Sequence, residues 1–394
     1  MPGTKKVIIT TCLALIAIWN IPAAPAAIFT GLGHLPGGGD SRGMAVSDDG
    51  LVVSGWSSSF EGTEAIRWTM ADGMVSLGDL PGSSVFSRNL GAISSDGSVI
   101  AGEARSSDGT ELFRWTMAEG MVGLGDLDGG GFNARGFAIS GDGSVIAGRS
   151  NVAAGIEAFR WTDEDGLVGL GDLAGGTFHS DARGISADGA VIAGQSESGN
   201  GSEAFRWTMA DGLEGLGDLS GGGFSSFAQG ISPDGTVVVG EGLSASGPEA
   251  FRWTEAEGMV GLDDLPGGAF QSRAFDASEN GEFIVGFSAV RSEGSPFERD
   301  AFIWDADNGM RNLNEVLTDL GVDLGGWTLV DARSISPDGR YIAGFGRNPA
   351  GQIEGWHVDL QGVPIPEPST GLLAGSGLVI ALVAALRRRR SAAR

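Results

Sequence analysis

The sequence of 394 residues is nearly devoid of cysteine, tyrosine and lysine. It contains one cysteine, Cys12, one tyrosine, Tyr341, and two lysines, Lys5 and Lys6. Cys12 lies in an apolar N-terminal segment that precedes the main body of the chain. A main body held together by disulfides or by cysteine–zinc sites is therefore excluded.

Positive charge is also scarce. Lys and Arg together number 25 against 50 Asp and Glu, a formal net charge of −25. Because an acidic surface repels phosphate backbones, we expect no nucleic-acid partner. Glycine, by contrast, occurs 69 times, more than twice its usual share of about 7 %. With 41 % hydrophobic residues, the composition is typical of a core-forming β protein with many tight turns.

The N-terminus has the pattern of a secretory signal peptide. Lys5 and Lys6 precede the apolar stretch 7–19, and Ala24 and Ala26 form an Ala-x-Ala cleavage pattern. The apolar stretch is too short to favour a membrane-spanning helix. We expect residues 1–27 to direct export, and the alternative is an N-terminal anchor that stays attached.

The C-terminus has the pattern of a membrane anchor. A linker, 361–370, contains a Pro-Glu-Pro triplet: Pro366, Glu367 and Pro368. The mostly apolar residues 371–386 follow, enough for a helix about 24 Å long. The basic tail 387–394 then begins with four arginines: Arg387, Arg388, Arg389 and Arg390. We therefore expect a C-terminal transmembrane helix whose basic end stays in the cytoplasm.

The order of triplet, apolar segment and arginine run resembles the PEP-CTERM sorting signal of Gram-negative bacteria. That resemblance implies recognition by an exosortase, a membrane protease-transpeptidase that cuts near the triplet and passes the protein on to the surface. It also implies an association with exopolysaccharide and biofilm. Residues 28–370 carry 18 arginines, no lysine and all 50 acidic residues, a net charge of −32. This charge is typical of a heavily hydrated surface domain, and a cation-rich matrix partner is the sharper alternative.

An internal repeat organises residues 28–360. The tetrad Ser-x-Asp/Asn-Gly recurs at intervals of 46 or 47 residues, with one final interval of 58. Its copies begin at Ser47, Ser94, Ser140, Ser186, Ser232, Ser278 and Ser336. Tryptophans keep the same spacing: Trp68, Trp115, Trp161, Trp207, Trp253, Trp304 and Trp356. Such periodicity is typical of stacked or radially arranged repeat folds.

Each repeat has the pattern of four short strands joined by tight turns. In the fifth repeat, 228–232 precedes a Pro-Asp-Gly turn and the β-branched run 236–240. Residues 249–254 alternate, with Phe251 and Trp253 on one face, and 259–265 form a fourth strand. We predict an all-β fold, a single seven-bladed β-propeller of four-stranded blades over 28–360. A lone N-terminal strand, 29–35, would complete the last blade; the alternative is a linear β-solenoid.

The repeats also resemble the HAF-family extracellular repeats of secreted bacterial proteins. The shared pattern runs from Ile231-Ser232-x-Asp234-Gly235 through Ala250-Phe251-Arg252-Trp253 to Gly261-Leu262-x-Asp264-Leu265. The histidine that gives that family its name is replaced by glutamate in this chain, at Glu157, Glu203 and Glu249. Any role shared through that histidine is absent.

Three repeated side-chain types have structural explanations. Arginines lie opposite the Phe-Trp face and need partners, for which we predict aspartates that recur with the same spacing. The predicted pairs combine Arg67, Arg114, Arg160, Arg206 and Arg252 with Asp79, Asp126, Asp172, Asp218 and Asp264. Phenylalanines of the crossing loops fill gaps between blades or, alternatively, stack on sugar rings: Phe86, Phe132, Phe178, Phe224 and Phe270. The Asp-Gly turns carry one carboxylate each, so we expect turn chemistry there and neither metal nor cofactor.

Signals of catalysis are poor. A Gly-x-Ser-x-Gly match at residues 39–43 lacks the strand–turn–helix context of a nucleophile elbow. The histidines are His34, His179 and His357, far apart along the chain. We therefore predict no enzymatic activity and assign no catalytic residue.

The least repetitive positions of the innermost strands are the candidate binding site. Three residues before each tetrad serine stand Met44, Gly91, Phe137, Arg183, Gln229, Phe275 and Arg333. The position that follows is small in every repeat but the sixth, which has Asp276. We predict that Arg183, Gln229, Arg333 and Asp276 bind a ligand near the axial channel.

These observations predict an exported, exosortase-sorted propeller that binds or organises extracellular polymer, polysaccharide first of all, without catalysis. It would be held at the inner membrane by the C-terminal helix and then pass to the cell surface or matrix. An adhesin or protein-docking module is the alternative and would have a contiguous apolar patch. A polysaccharide lyase or glycosidase would instead place clustered carboxylates with a histidine or tyrosine at the channel mouth.

Overall fold

The computed structural model describes residues 27–82, 84–290 and 299–361. Nearly all of the predicted signal peptide lies outside the described residues. So do the triplet at 366–368, the apolar segment 371–386 and the arginines that follow it. Among the described residues, no helix has the length and apolar character needed to cross a membrane.

The described chain is built almost wholly of short strands, numbered in chain order. The first fourteen are β1 (Ile28–Gly31), β2 (Ser41–Val46), β3 (Val53–Ser58), β4 (Thr63–Thr69), β5 (Gly73–Ser76), β6 (Ser87–Ile93), β7 (Val99–Arg105), β8 (Thr110–Thr116), β9 (Gly120–Gly125), β10 (Ala134–Ile139), β11 (Val145–Val152), β12 (Gly155–Thr162), β13 (Gly166–Gly169) and β14 (Gly175–Ile185). The others are β15 (Val191–Ser198), β16 (Gly201–Thr208), β17 (Gly212–Gly215), β18 (Gly221–Ile231), β19 (Val237–Ser244), β20 (Gly247–Thr254), β21 (Gly258–Gly261), β22 (Ser272–Ala277), β23 (Ile284–Ala289), β24 (Arg299–Asp305), β25 (Gly309–Asn312), β26 (Thr328–Ile335), β27 (Tyr341–Arg347) and β28 (Ile353–Asp359).

Each repeat forms a four-stranded antiparallel sheet in which every strand pairs with the next along the chain. The order is β2-β3-β4-β5 in the first repeat and β6-β7-β8-β9 in the second. The strands from β10 to β25 continue in the same way, four to a repeat. Single parallel bridges such as Ile156 to His179 link the third repeat to the fourth, and Ser202 to Ser225 links the fourth to the fifth. The prediction of an all-β fold is confirmed.

The sheet formed by the last repeat takes its outer strand from the start of the chain. β26, β27 and β28 pair in order, and β1 pairs antiparallel with β28, with Phe29 opposite Val358. A single parallel bridge between Asp40 and Ile353 repeats the link that joins other neighbouring sheets. The two ends of the described chain are therefore fastened in one sheet.

The tetrad forms the turn between the first two strands of a repeat. Its last residue is glycine for two reasons, the backbone conformation and the close approach of a neighbouring sheet. Ser232 Oγ donates a 2.6 Å hydrogen bond to Asp234 Oδ1 and accepts one from the backbone N–H of Val237 at 3.0 Å. Gly235 has φ 73°, in the left-handed region. A Cβ at Gly235 would also lie 3.0 Å from Cγ2 of Val191 in the preceding repeat. The tetrad thus sets the turn and the approach of two neighbouring sheets.

The hydrophobic core lies between neighbouring sheets. Small residues of one sheet face large side chains of the next, as where Ala147 and Ala158 pack with Phe205 and Trp207. The phenylalanine of the third strand is fully buried in five repeats: Phe113, Phe159, Phe205, Phe251 and Phe302. Close packing of such large apolar side chains is the main stabilising term.

The long interval before the last repeat contains the single α-helix of the described residues, which the sequence analysis missed. α1 (Leu313–Asp319) begins after Asn312, whose side chain accepts a 2.9 Å hydrogen bond from the N–H of Asn314. Leu313, Val316 and Leu317 are buried against the last two sheets. Their spacing of three and four residues is the signal that was available in the sequence.

Candidate functional site

The innermost strands of the repeats surround a common cavity of about 290 Å³. β2, β6, β10, β14, β18, β22 and β26 all contribute wall residues. The wall contains the residue three before each tetrad serine: Met44, Gly91, Phe137, Arg183, Gln229, Phe275 and Arg333. It also contains the small residues that follow several of them: Ala45, Ala138, Gly184, Gly230 and Ser334. Because consecutive inner strands supply equivalent residues, this is an axial cavity.

The four residues predicted to bind a ligand all line this cavity. Arg183 comes from β14, Gln229 from β18, Asp276 from β22 and Arg333 from β26. The structure therefore brings together side chains that lie up to 150 residues apart in sequence. With Ser334, they are the polar side chains of a wall whose other residues are apolar or glycine.

Arg183 and Arg333 are held in the same way. Arg183 donates from Nε and Nη2 to Oδ2 of Asp181, at 3.1 and 2.7 Å. Arg333 donates from Nε and Nη2 to Oδ2 of Asp331, also at 3.1 and 2.7 Å. Both aspartates are fully buried, so two strong charge-assisted bonds fix each guanidinium.

Aromatic rings support these two guanidinium groups from one side. The Arg183 guanidinium carbon lies 4.0 Å from the ring centroid of Phe137, and that of Arg333 lies 3.8 Å from the centroid of Phe275. Contact of this kind is favourable because the ring face is electron-rich. Each arginine is thereby preorganised between a buried carboxylate and a phenylalanine.

Asp276 is a carboxyl in the cavity wall with an unusual pKa. Its Oδ1 accepts from the N–H of Ala277 and its Oδ2 from the N–H of Ile335, both at 2.9 Å. Burial raises the pKa of Asp276 from 3.8 to about 7, although these bonds and one to Ser334 oppose the shift. Near neutral pH, Asp276 therefore exchanges a proton inside the cavity.

The axial channel continues beyond Asp276 into a narrower space of about 140 Å³. Its wall contains the second residue of several tetrads: Asp48, Ser95, Gly141, Ala187, Pro233 and Pro337. These residues are joined by backbone hydrogen bonds from the N–H of one to the carbonyl of the next, as from Ser95 to Gly141 at 2.9 Å. Pro233 and Pro337 have no N–H to donate, so no such bond can begin at either of them.

The outer arginines are not paired as predicted. Arg114 contacts Glu119 at 3.1 Å and Arg252 contacts Glu257 at 2.8 Å, and both acids lie in the turn after the same strand. Arg67 and Arg160 likewise face turn acids, at 3.9 and 3.8 Å. The prediction of partners such as Asp79 was wrong. The hairpin turn that follows the strand of each arginine places a carboxylate closer to the guanidinium group.

The recurring aspartates of the crossing loops accept backbone N–H groups instead. Asp79 Oδ1 accepts from Phe86 at 3.1 Å, and Asp218 Oδ2 accepts from Ser225 at 3.1 Å. Burial raises the pKa of Asp79. The phenylalanines of these loops are all half-buried: Phe86, Phe132, Phe178, Phe224 and Phe270.

The glutamates at the family's histidine position have a scaffold role. Glu157 Oε1 accepts from the N–H of Gly171 at 3.0 Å, and Glu203 Oε1 accepts from that of Gly217 at 3.1 Å. Glu249 binds the N–H of Asp263 at 3.1 Å. These carboxylates fix the end of the fourth strand.

Histidine and tyrosine lie away from the cavity wall in the described structure. His357 is buried between the rings of Trp68 and Tyr341, with ring centroids 5.9 and 6.0 Å away. Burial lowers the pKa of His357 to about 4. Within 27–82, 84–290 and 299–361, no group of His, Cys, Asp and Glu side chains is arranged to hold a metal ion.

Further arginines near the cavity were not predicted from the sequence. Arg42, Arg135 and Arg273 stand two residues before cavity-lining positions on their strands. Alternate residues of a strand face the same side, so this spacing was the available signal. Arg149 and Arg299 come from other strands, and no spacing rule pointed to them.

Comparison with known proteins identifies the architecture. No protein-family model and no curated protein matches the sequence. An oligogalacturonate lyase in complex with manganese aligns with a TM-score of 0.54 and 13 % identity, over 84 % of this chain and 93 % of that chain. Its counterpart from Vibrio parahaemolyticus gives 0.52 and 10 %, with the same coverage. Both are β-propellers. The chain is a β-propeller.

A weaker likeness is to TolB from Acinetobacter baumannii, with a TM-score of 0.44 and 12 % identity. That match covers 68 % of this chain and 61 % of TolB, so the propeller spans less than two thirds of that relative. At such low identities the likenesses extend to the fold alone.

Proposed function

We propose that this propeller binds or organises extracellular polymer, polysaccharide first of all, in its axial cavity and without catalysis. The observation that carries the proposal is the position of the cavity-lining polar residues. Repeated residues are used for turns, sheet contacts and core, whereas Arg183, Gln229, Asp276 and Arg333 break the repeat and meet in one cavity. Propellers commonly present ligand sites where their strands converge, and a few polar groups in an apolar wall are typical of such sites.

We further propose that the sheets close into a ring of seven blades. In support, the backbone bond from Gly33 N–H to Glu354 Oε1, 2.9 Å long, repeats the one from Gly217 to Glu203 within one repeat. The cluster of Leu32, Val53 and Ala343 also joins the first and last sheets as other clusters join neighbours.

Export and sorting complete the proposal. The signal peptide, 1–27, would direct the chain across the inner membrane, and the C-terminal helix would hold it there until an exosortase acts near Pro366-Glu367-Pro368. The mature propeller would then belong to the cell surface or the extracellular matrix. The support is the sequence pattern at the two ends together with the charge of −32 over residues 28–370.

The placement of the histidines favours binding over catalysis. A lyase or glycosidase needs an acid and a base within reach of one substrate, whereas the described cavity wall contains one carboxyl, that of Asp276, and no histidine or tyrosine. His357 is buried between sheets, and His34 Nε2 lies 3.1 Å from the carbonyl of Ile353 near the chain closure. The polar groups that do meet at the cavity are suited to hold a ligand by hydrogen bonds and charge.

A second candidate function is docking to a surface protein. Met70, Met117 and Met209 occupy equivalent turns and are 68, 75 and 76 % exposed. Exposed methionines of this kind are frequent at adaptable protein-binding surfaces. A pull-down from surface extracts in which Met70→Ser and Met117→Ser together abolish capture would favour this function.

The direct test is binding of the purified full-length chain to an array of acidic, neutral and sulfated oligosaccharides, with and without calcium. Selective binding by a chain with a folded circular-dichroism spectrum is the expected result. Uniform failure to bind any saccharide, with the same spectrum, would contradict polymer binding and leave protein docking as the better account.

A further inference from the structure

Positive charge in this acidic chain is concentrated around one end of the axial cavity. Eight arginines, which we name the arginine collar, make contacts there: Arg42, Arg88, Arg135, Arg149, Arg183, Arg273, Arg299 and Arg333. They are nearly half of the 18 arginines in residues 28–370. Such clustering is unexpected for a region whose net charge is −32.

Neighbouring arginines share partners along the arc of the collar from Arg273 to Arg135. Arg273 and Arg299, for example, lie over the ring of Phe287, at 5.8 and 4.1 Å from its centroid. Arg299 and Arg333 both pair with Asp331, at 2.9 and 2.7 Å. Arg333 and Arg42 both lie over the ring of Phe345, at 5.3 and 4.5 Å from its centroid. Like charges are thereby held side by side.

The same sharing continues into the second and third repeats. Arg42 and Arg88 lie 4.9 and 5.9 Å from the ring of Trp56. Arg88 and Arg135 both contact Glu103, at 3.6 and 3.1 Å. The arc from β22 to β10 is thus an alternation of arginines with aromatic or acidic side chains.

Except at Arg42, whose partner Asp40 is 38 % exposed, the arginines lie nearer to the solvent than the acids that hold them. Asp181 and Asp331 are fully buried and the Glu103 side chain is 2 % exposed, whereas the collar arginines are 21–36 % exposed. These carboxylates therefore lie deeper in the protein than the guanidinium groups they bind. A ligand that approaches this end of the cavity meets arginine first.

The collar is not neutralised by its own acids. Among the residues that the structure describes, ion pairs join these eight guanidinium groups to five carboxylates: Asp40, Glu103, Asp181, Glu241 and Asp331. Three positive charges are left over, or two when Asp276 is ionised. Nε of Arg42 and Nε of Arg88 are buried and donate no hydrogen bond. Burial lowers the pKa of Arg333, and the charges of Arg299 and Arg42 add to that effect.

We propose that the collar selects an acidic saccharide and binds the carboxylate of a hexuronate at the mouth of the axial cavity. This inference rests on the proposed function and names the ligand class. Guanidinium forks pair with planar carboxylates, and Arg273 already grips Glu241 in that way, with two bonds of 3.0 Å. The excess positive charge, carried by arginine side chains that are 21–36 % exposed, is what a bound carboxylate would satisfy.

The ligand should enter by a chain end. A cavity of about 290 Å³ lies at the lower limit of about 300–1,000 Å³ for ligand pockets, enough for a terminal sugar or two. The acidic exterior would repel a long polyanion laid across it. The collar offers the opposite charge at the mouth of the cavity.

The test is calorimetric titration of the full-length chain with hexuronate oligomers, their methyl esters, neutral hexose oligomers and sulfated hexose oligomers. Each methyl ester loses the negative charge of the carboxylate and gains one methyl group. We expect hexuronate oligomers to bind at least tenfold more tightly than their methyl esters, and high salt to weaken that preference.

Single variants test whether the preference for hexuronate oligomers depends on the arginine collar. Arg42→Gln should weaken hexuronate binding about tenfold, because it removes one charge of the collar, whereas the scaffold loses only a 3.6 Å contact with Asp40 and ring contacts with Trp56 and Phe345. Arg67→Gln removes the same charge from an outer strand and should leave binding unchanged. Thermal unfolding of both variants shows whether the fold is intact, and Arg88→Gln serves if Arg42→Gln unfolds.

The outcomes separate this inference from polymer binding itself. Equal affinity for hexuronate oligomers and methyl esters would overturn the carboxylate assignment but leave polymer binding standing. Binding of sulfated oligomers alone would also overturn it. Absence of binding to every saccharide would overturn both proposals.

Discussion

The backbone N–H of Gly355 donates a 3.1 Å hydrogen bond to Oγ of Ser41, 314 residues earlier. The same bond joins neighbouring repeats elsewhere, as from Ala204 to Ser226 at 2.9 Å. Both serines also donate 2.6 Å bonds to a backbone carbonyl, of Gly33 and of Gly217. The junction between the ends of the chain is therefore built like an internal one.

The contribution of the bond between Gly355 and Ser41 to stability can be compared with that of the bond between Ala204 and Ser226. We expect Ser41→Ala and Ser226→Ala to lower the free energy of unfolding by similar amounts, about 1–3 kcal/mol, because each leaves buried backbone groups unpaired. Chemical denaturation of both variants is the measurement. A neutral Ser41→Ala beside a costly Ser226→Ala would show that the ends are not joined.

A second prediction concerns the tetrad glycine of the first repeat. A Cβ at Gly50, φ 70°, would overlap the ring of Tyr341 in the last repeat, whereas a Cβ at Gly73, φ 69°, would meet no atom within 4 Å. Both alanine variants have the same backbone strain of about 1 kcal/mol. Gly50→Ala should lower the free energy of unfolding clearly more than Gly73→Ala. Equal losses would contradict the contact between the first repeat and the last.

Stability should fall as Asp276 ionises. Its pKa of about 7 lies above the unfolded value of 3.8, so its contribution is complete below pH 3.8 and is lost as the pH rises through 7. Between pH 4 and 8 the wild type should lose up to about 4 kcal/mol more than Asp276→Asn. Denaturation of both chains across that range gives the difference, and parallel pH profiles would contradict it.

His357 should act in the opposite direction. Its pKa of about 4 lies below the usual 6.5, so its neutral form stabilises the fold above pH 6.5, and that stability is lost as the pH falls toward 4. The wild type should lose about 2–3 kcal/mol more than His357→Leu between pH 7.5 and 4. An equal loss in both chains would mean that solvent reaches this imidazole.

The repeat made much of the fold predictable. Ser232, Asp234 and Gly235 predicted a turn, and Phe251 with Trp253 predicted a core-facing strand face, because equivalent residues recur at the same positions of other repeats. α1 was missed because it interrupts the period. Its buried face, Leu313, Val316 and Leu317, packs only against the last two sheets.

The candidate site was predictable only in its first layer. Arg183 and Arg333 stood out because they break the repeat at one fixed position. The partners of the outer arginines were mistaken because sequence spacing does not rank a hairpin acid such as Glu257 against a distant aspartate. The arginine collar depends on contacts between repeats, such as Arg135 with Glu103, which no single repeat contains.

Polymer binding is proposed to take place in the axial cavity. Gln229→Trp would fill this cavity, whereas Met209→Trp adds the same ring at a residue that is 76 % exposed. The measurement is the Kd of both variants and of the wild type for the tightest-binding oligosaccharide of the array. We predict loss of binding in Gln229→Trp alone; unchanged affinity in a folded Gln229→Trp would contradict the account.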